Sequence, residues 1–482
     1  MSSPFDERKY HSLLKGLEVS EVMLKNVLSD NFEFRIDSEF FKKEMLSTIE
    51  FIKNKPHEVL KNLVLDIKSF GAYSLCNDIN FIEKNEHSIP FIRCLNIKNG
   101  VVNFEELLFI DKESNNLLWK SEIKPLMVLV TMSGTVGNAT VALEHWKYPI
   151  NSNQDIAKIE TRKINPYFLA TFLNSRYGYT QMIRLQAGAV QQHLYLSQIE
   201  KIIVPKINSS FQNNIEKVVQ VSHSKLERSL LLYGQAESLL LDVIGLKEFK
   251  SSEKSTNIKS LKNSFLATGR LDAEYYQPKY EEIIRKVKKQ PYDILGNLVT
   301  IKKSIEPGSD VYTDDGLPFI RVSDYNKFGV STPEKYLSEY YCNMNAARLE
   351  SLYPAKETIL FSKDGSVGMA YMLRKNMQAV TSGAILHLTV KDKTKVLPEY
   401  LTLALNSKVV RQQAERDVGG SIILHWRINE IENVVVPVVD YTIQQQIANL
   451  VEESFALRLE SERLLEEAKG MVEREIEERV AS

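Results

Sequence analysis

Residues 212–245 read QNNIEKVVQVSHSKLERSLLLYGQAESLLLDVIG. Ile215, Ser222, Ser229 and Ala236 recur in this stretch every seven residues, the pattern of an amphipathic helix whose seam is narrow enough for a second helix to approach closely. Near the end of the chain Ile447, Ser454, Ser461 and Ala468 repeat the same residue types in the same order, each 232 residues after its counterpart. A constant offset means a second copy without insertion. Val218, Leu232 and Leu239 add bulk beside the first seam, and Leu450, Leu457, Leu464 and Met471 beside the second. The chain therefore reads as one unit built twice, each copy closed by a long helix.

Working outward from the helices, further blocks recur in order. Arg35-Ile36-Asp37 with Phe40-Phe41 matches Arg270-Leu271-Asp272 with Tyr275-Tyr276, and Ile89-Pro90-Phe91-Ile92-Arg93 matches Leu317-Pro318-Phe319-Ile320-Arg321. Pro before a short β-prone run ending in Arg reads as a strand leading into an exposed loop. Ser133-Gly134-Thr135-Val136-Gly137 and Asp364-Gly365-Ser366-Val367-Gly368 each follow an apolar strand and read as tight turns. Pro166 through Leu173-Asn174-Ser175 and Pro398 through Leu405-Asn406-Ser407 start with Pro and read as helices. The loops Gly188 to His193 and Gly420 to His425 then lead to Ile203-Val204-Pro205 and Val435-Val436-Pro437. Offsets vary among the early blocks and settle at 232, so length changes fall in the early loops while the closing part is constant.

At 482 residues the chain exceeds one ordinary core, and a composition 43% hydrophobic and 26% charged is that of a globular protein. No run is long and apolar enough to span a membrane and the first residues lack a signal-peptide pattern, so the expected compartment is the cytoplasm. Cys76, Cys94 and Cys342 stand far apart, which implies neither a disulfide framework nor a metal quartet. Lys and Arg number 61 against 62 Asp and Glu, a balance that decides nothing about polyanionic partners. Distribution is more informative. Residues 441–482 hold five Lys or Arg against ten Glu, an arm that phosphates would repel, whereas residues 247–270 hold six basic residues against two Glu.

Candidate chemistry is sparse. Asn165-Pro166-Tyr167-Phe168 loosely resembles the Asn-Pro-Pro-aromatic turn of amino-methyltransferases, but the second Pro is missing, the matching position is Leu397, and a helix-start Pro explains the run. The Gly-x-Val-Gly turns lack the spacing and the Lys of a nucleotide loop; they read as structural turns whose neighbours Thr131, Ser133, Lys363 and Ser366 are placed to meet DNA phosphates. His193 and His425 occupy equivalent loop positions, and a single His in each loop, without a second His or an organised carboxylate, is too few for a metal site. Gln191, Gln192 and His193 in one copy, against His425, Trp426 and Arg427 in the other, have side chains suited to base edges and differ between copies. Asn153 and Gln154, opposite Gly383 and Ala384, diverge in the same way, and Arg93 and Arg321 suit either a structural ion pair or a phosphate. No catalytic residue and no metal ligand is expected.

The ordered duplication of the Pro-Phe-Ile-Arg, Gly-x-Val-Gly, Leu-Asn-Ser and Val-Pro blocks, each set followed by a long helix, resembles the specificity subunit of type I restriction-modification enzymes from about Ser20 to the end. The resemblance implies an α+β chain of two tandem α/β target-recognition domains, each followed by a long helix, the helices packed as an antiparallel coiled coil. The expected boundaries are residues 1–208 and 268–440 for the two domains, 209–246 and 441–482 for the helices, and 247–267 for a linker. It also implies a non-catalytic subunit that reads a bipartite, asymmetric site in double-stranded DNA. Expected partners are two methyltransferase subunits and restriction/translocase subunits, with S-adenosylmethionine held by the methyltransferase and no cofactor on this chain. A helix of this length covers about 50 Å at ~1.5 Å per residue, enough to space two half-sites. From the residues alone two other classes stay open: a free-standing DNA modification or cleavage enzyme, which needs a methyl-donor pocket or acidic cluster, and a protein-interaction scaffold without DNA contact.

Overall fold

A computed structural model of the chain describes residues 6–17, 19–29, 35–69, 78–105, 107–187, 192–251, 256–419 and 424–478. Two compact units emerge, and each takes part of both long helices: Met1–Leu226 with Leu459–Ser482, and Glu227–Arg458.

In the first unit an antiparallel sheet runs in the order Val64–Lys68, Ile156–Thr161, Val128–Thr131, Ala139–Val141. Of its central strands Val128–Thr131 is buried from end to end and Ile156–Thr161 over its first four residues, and the sheet packs on the helix Pro166–Asn174. A second sheet contains Asn151–Ser152, Ile89–Ile92, Leu108–Ile110 and Phe81–Ile82, the first two parallel. Pro90 lies inside a strand yet removes no ladder bond, because pairing with Asn151–Ser152 begins only at Phe91. The second unit repeats this plan. Val299–Lys303, Ile385–Val390, Ile359–Ser362 and Ala370–Met372 form one sheet; Tyr312–Thr313, Tyr336–Leu337, Leu317–Ile320 and Val380–Thr381 form the other.

The repeat extends to hydrogen bonds that explain conserved spacing within the chain. Asn174 accepts from the Ala139 amide (2.9 Å) and donates to its carbonyl (2.6 Å); Asn406 does the same to Ala370 at 3.0 and 2.8 Å. Gln181 brackets Ile203 through its amide and carbonyl (2.9 and 2.8 Å), and Gln413 brackets Val435 at the same two distances. Each amide side chain thus satisfies backbone groups at a strand edge that would otherwise be left unpaired. Asn174→Ala is expected to destabilise the first unit by about 1–3 kcal/mol, the cost of two orphaned backbone groups, read in a urea titration. Arg35 and Arg270, from the opening blocks, each clamp an Asp two residues on (Asp37 and Asp272) and reach a distant carbonyl, Arg184 and Asp417 respectively.

The helices are Ser209–Val243 and Tyr441–Glu478. Within the first unit Ser222 meets Ser461, hydroxyl to hydroxyl at 2.8 Å, and Ile215 shares the core with Ala468. Within the second unit Ser229 meets Ser454 at 3.0 Å, and Ala236 shares the core with Ile447. One helix number rises as the other falls, so the packing is antiparallel, and all eight seam residues are buried. Ser222 corresponds to Ser454 and Ser229 to Ser461, which makes the two serine pairs copies of one contact.

One buried base also recurs. Lys158, wholly enclosed in the central sheet, donates to the Ser152 and Ser121 hydroxyls at 2.7 and 3.1 Å, and burial lowers its pKa to about 7. His387 holds the equivalent strand position, hydrogen-bonds Thr381 at 2.9 Å, and is lowered by burial to about 4.

Candidate nucleic-acid interface

The glycine turns are locked from within. In the first unit the Thr131 hydroxyl donates to the Thr135 carbonyl and accepts from the Asn138 amide at 3.0 Å, while Gly137 donates to the Thr131 carbonyl at 3.0 Å. In the second, Ser362 bonds the Ser366 carbonyl and accepts from the Met369 amide at 2.9 Å, and Gly368 closes on Ser362 at 2.9 Å. Gly134, Gly137, Gly365 and Gly368 adopt φ of +68°, +90°, +70° and +83°, a left-handed backbone that requires glycine.

The His loops close on these turns. Ala187 and His193 exchange backbone bonds of 2.8 and 2.7 Å, and Leu194 donates to Met132; Gly419 and His425 exchange bonds of 3.1 and 2.7 Å, and Trp426 donates to Lys363 at 2.8 Å. Turn and loop, read separately in the sequence, form one structural element in each unit. Its chemistry differs between copies. In the second unit the His425 ring contacts Asp364 at 2.8 Å, and Lys363 pairs with the same carboxylate, giving a His-Asp-Lys cluster at the surface. The first unit carries Ser133 and Met132 at the corresponding places.

Several residues expected at DNA are exposed: Gln192, Ser366, His425 and Arg427. His193 and Lys363 are half-buried, as is Gln154. Gln191 lies outside the described residues. Three expectations are corrected. Thr131 and Ser133 are buried, Thr131 bracing the turn, and Trp426 is 1% exposed, its ring 5.8 Å from Phe361 in the core. A buried indole cannot touch a base edge without unfolding the site, so Trp426 anchors the loop that displays its neighbours. Arg321 pairs with Asp324 at 3.2 Å and Glu334 at 2.8 Å, whereas Arg93 faces neutral Asn96 and keeps a buried Nε without a hydrogen-bond partner. Asn153 donates from its backbone to Ile92, as Ser382 does to Ile320, so Asn153 corresponds to Ser382 and not to Gly383. Asp364 was missed as a site residue. Its partner His425 is 61 residues away, and no local spacing relates them. Among the described residues no group of three His, Cys, Asp or Glu gathers as a metal site.

Residues 293–469 match the family model described as type I restriction modification DNA specificity domain. That segment, most of it in the second unit, is similar to a type I restriction-modification DNA specificity domain. The first unit, most of which lies outside the match, repeats the second unit's blocks, sheets and hydrogen bonds in order. Solved structures similar to the chain include the S subunit of a type I system from M. genitalium, 16% identical over 86% of this chain and 92% of that one, with a TM-score of 0.37. The HsdS subunit from Thermoanaerobacter tengcongensis is 13% identical, over 87% and 95%, with a TM-score of 0.27. No protein among the curated ones matches the sequence.

Proposed function

We propose that each unit reads one half of a bipartite, asymmetric target in double-stranded DNA, and that the chain recruits methyltransferase and restriction/translocase subunits which supply all chemistry. The observation that carries this is the pairing of one scaffold with two surfaces: identical turn-and-loop frames present Gln192 and His193 in one copy, and His425 with Arg427 beside the Asp364-Lys363 pair in the other. Phosphate contacts would position each specificity domain, and the exposed loop side chains would discriminate bases. Half-buried Arg93, Asn153, Gln154 and Lys363 stand next to this surface as further contacts, while Arg321 is held by its carboxylates. The acidic outer face of the C-terminal helix is offered to protein, two methyltransferase subunits among them. S-adenosylmethionine belongs to the methyltransferase, and this chain binds no cofactor. The assembly acts in the cytoplasm; no helix among the described residues is long and apolar enough to cross a membrane.

The test is affinity for duplex DNA against salt, with the chain alone and with methyltransferase added. Binding should fall steeply with salt, with a log-log slope of roughly −0.9 per phosphate contacted. Arg427→Ala should cost about 1–3 kcal/mol on the methylated target if it reads a base, and affect all sequences alike if it meets a phosphate. Methyl transfer by the isolated chain would overturn the assignment of chemistry to the partners, and salt-independent binding would favour a protein scaffold.

A further inference from the structure

Corresponding places beside the helix pair are filled differently in the two units. In the second, the Phe328 ring lies 5.0 Å from Tyr233 and 6.2 Å from Phe455, with Arg374 3.9 Å over Phe455, and about 10 Å³ of space remains. The repeat assigns Leu465 to Tyr233 and His223 to Phe455, both by the offset of 232. The hairpins Ile97–Val102 and Tyr325–Val330 pair in the same register, which assigns Gly100 to Phe328. The first unit thus lacks two of the three rings and carries an imidazole for the third, and a cavity of about 590 Å³ lies there.

The cavity is built, with a floor and a mouth. Its floor includes Val219 and His223, and its mouth is rimmed by exposed Leu95, Lys98 and Asn99. A Cβ at Gly100 would lie 3.7 Å from Leu465, so this position faces the cavity. His223 is 6% exposed, and its Nε2 is buried without a hydrogen-bond partner. Buried polar atoms in folded proteins are nearly always satisfied, so the unpaired imidazole of this cavity-lining residue is the group that a hydrogen-bonding occupant would satisfy after a small rotation of the ring. No carboxylate lines the cavity, while Lys98 and Lys469 do, which disfavours a cationic occupant.

We propose that this cavity binds a small aromatic heterocycle, a flat ring occupying the space that Phe328 fills in the other unit and hydrogen-bonding the His223 imidazole. Apart from Leu465 and Lys469, its lining residues lie outside the matched segment, and the site stands independently of which DNA sequence either unit reads. Tyr179 and Asn138 also reach the cavity and adjoin the Gly134–Gly137 turn. Occupancy would stiffen that turn from behind.

The full-length chain is titrated with benzimidazole, indole and benzene, followed by calorimetry and by thermal shift. The heterocycles should bind once per chain and raise the melting temperature, and benzene should bind at least about tenfold more weakly. His223→Phe, which installs the residue of the other unit, should lower heterocycle affinity by about tenfold or more without lowering the melting temperature of the free protein. His223→Gln, which keeps a hydrogen-bonding group, should retain binding and guards against a folding defect. The proposal is overturned if neither heterocycle binds at about 5 mM, if benzene binds equally well, or if His223→Phe binds like the parent.

Discussion

Ser222→Leu is expected to destabilise the first unit by about 2–4 kcal/mol and to lower its melting temperature by roughly 5–15 °C. Ser222 is wholly buried, bonded to both the hydroxyl and the carbonyl of Ser461 at 2.8 and 2.9 Å. Three added carbons have no room there, since overpacking a close-packed interior costs about 1–3 kcal/mol, and the Ser461 hydroxyl loses its partner for about 1 kcal/mol more. Graded variants separate the two contributions. Ser222→Ala should cost only about 1 kcal/mol, and the double change Ser222→Ala with Ser461→Ala should cost less than the sum, because neither helix is then left with an unpaired hydroxyl. If the helix pair also docks methyltransferase, Ser222→Leu should weaken co-purification of that subunit while Ser222→Ala leaves it intact. A leucine accepted without loss in thermal unfolding would mean that the helices do not pack through these serines.

Lys158→Met should stabilise the protein near neutral pH, an unusual sign for a buried substitution. Burial lowers the Lys158 pKa from 10.5 to about 7. Between those values the unfolded chain holds a proton that the folded chain has released, so stability rises with pH across that window. Below about pH 7 both states are charged and the folded one carries the whole desolvation cost, on the order of 5 kcal/mol from the shift. Methionine removes that cost and fills similar space, while the hydroxyls of Ser121 and Ser152 still bond each other's residues. A net gain of about 2–4 kcal/mol at pH 7, shrinking towards zero by about pH 10, is expected from denaturant titrations at several pH values. Parallel pH profiles for the two proteins would show that Lys158 stays solvated and ordinary.

What the linear chain determined is the duplication itself and everything with a short, regular period. The seam of Ile, Ser, Ser and Ala was legible because helical neighbours recur every three or four residues, so a face writes itself into the sequence. Glycine turns and helix-start prolines were legible for a similar reason: a left-handed backbone or a missing amide is a property of one residue. Tertiary structure decided which residues face solvent. Trp426 and His425 are neighbours in the loop, yet one is core and the other surface, because Phe361 from a distant strand receives the indole. The Asp364–His425 contact, the burial of Lys158 and the cavity beside His223 all depend on segments dozens of residues apart, whose meeting is set by sheet order and helix packing and leaves no spacing to read. The cavity in particular is a difference between two copies of one fold. Only matched positions, Gly100 against Phe328 and Leu465 against Tyr233, reveal that two rings of an aromatic core are missing from one of them.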